Sequence, residues 1–523
     1  PVNIENTGEK KYLFDLGQNI SGYIRLTVSG QKGCELTIRY GEQIKADKSL
    51  ELNGMDAFYP ESRFQTDKFI CSGKKITWSP KYAYHGFQYI EIDGIEDIGG
   101  VEVSGVFVHQ DICRRTSFEC SDETINRLFK AGVQSSYSNM FYLISDCPTR
   151  EKLGWANDAQ SSAEQLLTNF KIEGLFTKWL QDIWDAMLSD GSMPGIIPTH
   201  GWGYTWGNGP VSDGILFELP HRLYLHTGNP EPLVSSLEYF DRYLRYLDSR
   251  RNADGLVEFG LNDWAAPEFK DVIGAGFINA VLEYHFYTIA ALAAKLCHDK
   301  RDEKYKIAAR KQREYIIGRF IGSDGRCTIN EQTSVAMLIY YDLYEDITSL
   351  KAQLVKLVES KNYHHDCGMV GLRRLYCALN KCGLEEYAYR IITAEGYPGY
   401  KLWLDSGANT LWEVWDVNRH QDSKNHHMYS DFMSWIIKTL AGISIDETKP
   451  GELVYTLNPR FIPQLDYVKC AYNTFCGLIK VEWKRLDKKV RLSVYKDDGV
   501  KLIYKGREIE SAECPAEFDI IPE

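Results

Sequence analysis

A chain of 523 residues is longer than one hydrophobic core usually organises, so several domains or a closed toroid or barrel are expected. Its 44% hydrophobic and 25% charged residues are those of an ordinary globular protein, and no run of about 18 apolar residues announces a membrane span. The formal net charge of -12, with no block of Lys and Arg, argues against nucleic acid or anionic lipid as a partner.

From the start to residue 115 the sequence reads as short strands. Tyr23 to Val28, Cys34 to Tyr40, Phe69 to Cys71, Tyr89 to Ile92 and Val101 to Val108 alternate and stop at Gly or Asp turns, the pattern of a jelly-roll-like β-sandwich. At Ser121-Asp122-Glu123 a Ser cap and two acids precede Ile125, Leu128, Phe129 and Val133 at helical spacing. Helices are predicted from 116 to 445, among them Asp158 to Phe170, Ile278 to Cys297, Lys304 to Phe320, Thr333 to Tyr344, Gly371 to Leu379, Glu385 to Ala394 and Tyr429 to Leu440. Without strand-helix alternation or a short fixed repeat, an (α/α)6 toroid fits this stretch better than a parallel sheet or a solenoid. After Lys449-Pro450-Gly451 a period of two returns in Cys476 to Trp483, Lys489 to Tyr495 and Val500 to Tyr504, so residues 446–523 are expected to form a small C-terminal β-sandwich.

Thirteen cysteines at irregular spacing read as free or buried thiols. No leader pattern follows Pro1-Val2-Asn3, so a cytoplasmic location is expected; a periplasmic or secreted one stays open if a leader has been removed. Aromatic residues make up 13% of the chain, which suits a protein presenting flat apolar faces to a ligand such as a sugar ring.

Two acidic clusters stand out. The loop before the Asp158 helix gathers Asp146, Arg150, Glu151 and Asp158 around Pro148, Gly154 and Trp155; it reads either as a solvated helix start or as a site. The second runs Asn409-Thr410-Leu411-Trp412-Glu413-Val414-Trp415-Asp416, followed by Asn425-His426-His427, and Glu413 there is either an edge residue beside core tryptophans or a carboxylate facing a sugar. Glycoside hydrolysis needs such a pair: one carboxyl protonates the leaving oxygen while the other acts from the opposite face. If the second activates water, roughly 6.5 to 9.5 Å must separate the two. Between the clusters, Gly201-Trp202-Gly203-Tyr204-Thr205-Trp206-Gly207 and Leu261-Asn262-Asp263-Trp264 set Trp beside Gly or a carboxylate, as core packing or as a pocket wall. His364-His365-Asp366-Cys367 and His426-His427 lack metal-ligand spacing, and no nucleophile elbow, P-loop or dinucleotide fingerprint is present. No metal and no cofactor are expected.

Together these residues resemble the bacterial α-L-rhamnosidases of glycoside hydrolase family 78. Asp146 to Gln160 is similar to that family's D-C-P-T-R-(D/E)-(R/K)-L-G-W-x-G-D-A-Q stretch, Tyr397-Pro398 and Gly407 to Glu413 to its Y-P-S-W and G-A-T-T-x-W-E, Asn425-His426 to its N-H-Y, and Tyr84 to Tyr89 to its Y-x-G-F-R-Y. The resemblance implies an (α/α)6 catalytic toroid between β domains and inverting exo-hydrolysis of terminal α-L-rhamnose. It makes Glu151 the general acid and Glu413 the general base. It also implies that Asp146, Arg150 and Asp158 hold sugar hydroxyls, that Trp155, Trp206 and Trp264 pack on the ring and its C6 methyl, and that His426 completes the pocket; Asp263 is a further candidate for substrate binding. The sequence departs from the family at Asn157 in place of Gly, Asn409 in place of Thr, and Gly399-Tyr400 in place of Ser-Trp, which puts the pocket shape in doubt. A toroid hydrolase of other sugar specificity and a noncatalytic sugar-binding relative are the competing readings, and homodimerisation is left open.

Overall fold

The structure is a computed structural model that describes residues 1–57, 63–267, 273–511 and 515–521. The chain divides into two compact units, one of Pro1–Asp111, Lys130–Leu153 and Leu402–His427, the other of Ile112–Phe129, Gly154–Lys401 and Met428–Glu523.

In the first unit, strands β1 (Asn3–Gly8), β2 (Lys11–Val28), β3 (Glu35–Gly41), β4 (Thr66–Ile70), β5 (Ile76–Trp78), β6 (His85–Asp93) and β7 (Glu102–Phe107) form an antiparallel sheet. The sheet runs β1-β2-β6-β3-β4. Strand β2 is long enough to be shared: its first half pairs β1 and β6, and its second half pairs β5 and β7. The register jumps between Asp15 and Ile20, where Gly17 takes a φ of 74°. Alternation sets the inner face, because side chains two apart point the same way. Leu36, Ile38 and Tyr40 of β3 meet Phe87, Ile90 and Ile92 of β6 and Phe14, Ile24 and Leu26 of β2 in one apolar core. Each such side chain, fully buried, contributes about 1.5–3 kcal/mol. This is the predicted N-terminal sandwich.

The second unit is built from helices packed in pairs, the (α/α)6 organisation that the sequence predicts. Ala275–Leu296 lies on Arg301–Phe320, Gln332–Tyr340 on Met369–Lys381, and Ala156–Asn169 on Ile215–Thr227. Ala275–Leu296 is long and apolar enough to cross a membrane by composition, yet 72% of its most apolar window is buried inside this unit, as in a core helix. Helices Glu173–Ala186, Ile215–Thr227, Leu237–Ser249 and Ile347–Ser360 add to those named from the sequence, and Ile215–Thr227 holds Pro220 in its interior.

Helix Ala156–Asn169 is buried along its whole length despite carrying Asn157, Asp158, Gln160, Glu164 and Gln165. Its charge is matched internally. Glu164 pairs with Arg222 and Lys438, and Arg222 also reaches Glu218 at 3.2 Å and Glu447 at 3.0 Å. Opposite charges at contact offset the cost of taking each from water, and they hold the carboxyls of Glu164 and Glu218 well below the usual range against the opposing effect of burial.

Strand Thr116–Cys120, inside the stretch predicted as helical, is the edge of a five-stranded antiparallel sheet. It pairs Tyr467–Asn473, followed by Leu478–Leu486, Lys489–Lys496 and Ala516–Ile520. A five-residue strand preceding a capped helix shows no partner in its local sequence, and its partner lies at the far end of the chain. A second, four-stranded sheet holds Ile443–Ile445, Val454–Leu457, Lys501–Tyr504 and Arg507–Glu508.

Candidate active site

The loop with Arg150 and Glu151 belongs to the first unit and is closed by Asp146. The Asp146 carboxylate accepts the Leu153 amide at 2.8 Å, and the Asp146 amide donates to the Leu153 carbonyl at 2.9 Å. Lys152, at a φ of 59°, donates to the Tyr84 carbonyl at 2.6 Å with its ammonium 4.4 Å above the Tyr84 ring, and burial lowers it to about 8. Beside it, a Cβ on Gly86 would stand 2.5 Å from Thr149 Cγ2 and 2.8 Å from Pro148 Cγ. This close approach explains the glycine of the Tyr84-His85-Gly86-Phe87 motif.

Glu413 sits on a segment that runs beside residues 423–426 of the same unit. Its amide donates to the Ser423 carbonyl at 3.0 Å, the Ser423 amide donates to Glu413 Oε2 at 2.7 Å, and the His426 amide donates to the Leu411 carbonyl at 2.8 Å. The flanking indoles are packing. Trp412 and Trp415 are buried, and Trp415 stacks at 4.4 Å on Trp403, whose Nε1 donates to the Val414 carbonyl at 3.1 Å. Asn409, a departure from the family pattern, accepts the Gln18 amide and the Asn19 backbone amide, each at 2.9 Å, and donates to Gln88 at 2.9 Å. Its amide divides these bonds, Oδ1 accepting two and Nδ2 donating the third.

Arg150 joins the two carboxylates. Its Nη2 donates to Glu151 Oε1 at 3.0 Å and to Glu413 Oε1 at 2.8 Å, while Nη1 donates to Asp422 Oδ1 at 3.3 Å and the Gln421 carbonyl at 3.2 Å. The two oxygens that Arg150 contacts, bound to one nitrogen at those lengths, stand no more than about 5.8 Å apart, short of the roughly 6.5 to 9.5 Å that a water-activating pair needs. Burial, with the neighbouring charges of Asp422 and Glu151, raises Glu413 to about 7 even against Arg150 and the Ser423 amide. His426 is buried, and burial together with His427 and Arg150 keeps it neutral. His427 holds this segment by its Nε2, 2.8 Å from the Ser145 carbonyl.

The remaining predicted residues lie in the second unit. Trp155 precedes helix Ala156–Asn169, and Asp158 is buried in its first turn. The Trp155 ring meets Trp202 at 5.4 Å and Trp206 at 5.6 Å, and Trp206 meets Trp264 edge-on at 5.8 Å. Trp206 and Trp264 are 43% and 39% exposed and Trp155 only 8%, so the cluster offers an aromatic surface rather than a closed core. Gly207, at a φ of 75°, allows this packing, since a Cβ there would fall 2.4 Å from the Trp155 ring.

Asp263 is held by the protein on both oxygens. Oδ1 accepts the amides of Val370 at 2.9 Å and Gly371 at 2.8 Å, and Oδ2 accepts the Gly368 amide at 2.8 Å and the Thr333 hydroxyl. Its carboxylate anchors the start of helix Met369–Lys381 and thereby fixes Trp264 next to it. A cavity of about 500 Å³ opens beside Asp263, lined also by Glu331, Lys361, His364, Asp366 and Tyr397. Both ring nitrogens of His364 lie on carbonyls, and burial lowers His365 to about 3. Glu218, His221 and His285 bring ligand-type atoms within 4.8 Å of one another, a group the sequence reading did not find. Glu218 there already faces Arg222 at 3.2 Å and Arg373 at 3.9 Å, so these residues form a salt-bridge network.

Residues 114–440 match the bacterial alpha-L-rhamnosidase 6 hairpin glycosidase domain, and residues 5–109 the bacterial alpha-L-rhamnosidase concanavalin-like domain. An α-L-rhamnosidase of Streptomyces avermitilis is 27% identical, over 91% of this chain and 46% of its own length. Among solved structures, the α-L-rhamnosidase of Dictyoglumus thermophilum is 26% identical with a TM-score of 0.90, covering 96% of this chain and 57% of that one. The Streptomyces avermitilis α-L-rhamnosidase complexed with L-rhamnose is 24% identical with a TM-score of 0.88, covering 95% and 49%. The chain spans about half the length of the curated relatives it matches.

Proposed function

The chain belongs to the bacterial α-L-rhamnosidase family, and from that premise we propose that it is an exo-α-L-rhamnosidase that releases terminal non-reducing α-L-rhamnose from small rhamnosides or oligosaccharides with inversion at the anomeric carbon. The observation that carries this reading is the bridge of Arg150 between Glu151 and Glu413, two carboxylates from opposite ends of the helical stretch. L-rhamnose in the solved Streptomyces avermitilis relative supports the choice of sugar.

Glu151 protonates the leaving oxygen, and Glu413 takes a proton from the water that attacks the other face. Inversion needs room for a water between the carboxyl groups, and Arg150 gives it by letting go of at least one of them as the sugar binds. Its guanidinium then donates to sugar hydroxyls, where charge-assisted bonds strengthen as the ring flattens. His426, neutral, can accept a hydroxyl proton. The tryptophan surface is suited to a 6-deoxy sugar: a methyl against indole leaves nothing unpaired, whereas a hexose hydroxyl would be desolvated.

One observation favours the reverse assignment of roles, because a carboxyl raised to about 7 is also fit to be an acid. Leaving groups separate the two readings. Replacing the acid by Gln should spare activated nitrophenyl rhamnosides relative to alkyl rhamnosides, and replacing the base by Gln should depress both alike. Glu151→Gln is expected to show the first pattern and Glu413→Gln the second; the opposite result exchanges the roles. Proton NMR should show β-rhamnose as the first product, and initial α-rhamnose would refute inversion. Preference for another nitrophenyl glycoside would sink the sugar assignment.

A further inference from the structure

Beyond the carboxylate pair, we propose that Glu42 of the N-terminal sheet domain is a positioning residue for Glu413, acting through the Ser423-Lys424 backbone; the proposal rests on the reading of Glu413 as a catalytic carboxylate. Glu42 follows strand β3 and is 5% exposed. Its Oε2 accepts the Lys424 amide at 2.8 Å and the Ser423 hydroxyl at 3.2 Å, and its Oε1 accepts the Asn19 side-chain amide at 3.0 Å. The adjoining Ser423 amide is the donor on Glu413 Oε2 at 2.7 Å. Glu42 therefore holds Ser423 by its hydroxyl and by the next peptide, and so positions the residue whose N–H helps orient Glu413 and favours its ionised form.

Ser423 also reaches the other carboxylate's loop. Its hydroxyl, besides donating to Glu42, accepts from the Thr149 hydroxyl at 3.2 Å and the Asn425 amide at 3.1 Å, and Thr149 directly precedes Arg150-Glu151. One buried hydroxyl thus ties the Glu413 segment, the Glu151 loop and the sheet domain together. The chemistry calls for a carboxylate at residue 42. Three donors converge on it, and a carboxylate accepts at both oxygens while bringing no donor of its own. A glutamine would turn its own NH2 towards either Lys424 N–H or the Asn19 amide, leaving two donors face to face.

The test is Glu42→Gln in the full chain, with kcat and KM for nitrophenyl α-L-rhamnoside measured from pH 5 to 9. Loosening the Ser423 amide removes a bond that favours ionised Glu413, so the acidic limb of kcat/KM should move to higher pH. At pH 7 kcat should fall about tenfold with KM within about twofold. Glu91→Gln is the control, since Glu91 is a buried carboxylate of the same domain paired with Lys11 and Arg39, away from Ser423. It should lower the melting temperature without moving the limb. Should Glu42→Gln fail to fold, Ser423→Ala keeps the backbone N–H and loses the hydroxyl, and should move the limb the same way by less. Unchanged kcat and limb in folded Glu42→Gln, or in Ser423→Ala, overturn the proposal, as does an equal shift in Glu91→Gln. If Glu413→Gln abolishes turnover while Glu42→Gln is silent, only the positioning role fails. If Glu413→Gln keeps full turnover, the base reading fails and takes this proposal with it.

Discussion

Replacing Arg150 by Met leaves a side chain of similar reach but removes the cation held between Glu151, Glu413 and Asp422. With nearest atoms 2.8 Å apart, the charge centres of the Arg150–Glu413 pair lie about 4 Å apart, and at an effective dielectric of 20 such a pair interacts by about 4 kcal/mol. At about 1.4 kcal/mol for each factor of ten, that is close to a thousandfold in the proton affinity of Glu413, with water entering the vacated space as a counterweight. Losing a cation makes a carboxylate harder to ionise, so the value of Glu413 rises from about 7. If Glu413 is the base, activity requires the ionised form, and the acidic limb of kcat/KM should climb to 8 or above. Turnover at pH 7 should drop at least tenfold and recover in part by pH 9. Initial rates on nitrophenyl α-L-rhamnoside across this range supply the profile. A uniform loss at every pH, with the limb in place, would refute the electrostatic role of Arg150. Movement of the alkaline limb instead would mean that Glu413 works protonated.

Trp206→Ala should raise KM about tenfold with an unaltered melting temperature, because the ring is half-exposed and meets Trp155 and Trp264 edge-on; an unchanged KM removes Trp206 from the sugar site. Asp263→Ala strips both oxygens from the start of helix Met369–Lys381 and should cost at least the roughly 1 kcal/mol typical of a lost cap, read by thermal melting. A rise in KM at unchanged stability would instead mark Asp263 as a sugar ligand. Gly86→Ala sets a methyl against Thr149 and Pro148, and overpacking of this kind costs about 1–3 kcal/mol, so both melting temperature and kcat should fall. Glu164 and Glu218 are held below their ordinary values by Arg222 and its neighbours, so the stability they contribute is present above about pH 4.5 and lost as pH falls through their native values. Glu164→Gln should therefore flatten the acid side of the melting-temperature profile, and an unaltered profile would contradict the pairing.

The sequence carried the β-α-β order because its signals are local: β3 alternates inward Leu36, Ile38 and Tyr40, and helix Arg301–Phe320 carries Asp302 and Glu303 in its first turn. It did not disclose helix Ile215–Thr227 with its internal Pro220, nor the pairing of Thr116–Cys120 with Tyr467–Asn473, since tertiary contacts decide both. Ala156–Asn169 is buried on every side, and its polar residues hid that in the sequence because their partners, such as Arg222 and Lys438, lie far along the chain. At the site, Arg150, Glu151 and Glu413 were legible as types that perform acid-base work on a glycoside. The motif around Asp263 marks it as a candidate sugar ligand and does not distinguish a residue that also anchors a helix. That distinction depends on amides at 368, 370 and 371, which no side-chain pattern reveals.

The edge strand Thr116–Cys120 has a consequence for how the molecule is made. Its partner, Tyr467–Asn473, leaves the ribosome some 350 residues later, which at about 5–20 residues per second is a delay on the order of 20 to 70 s. Throughout that interval the nascent chain carries a strand with open hydrogen-bonding groups and no sheet to join. A shortened gene that stops before Tyr467 would make the wait permanent, so the β domain that holds Tyr467–Asn473 is less an appendage than a step that lets the helical region mature.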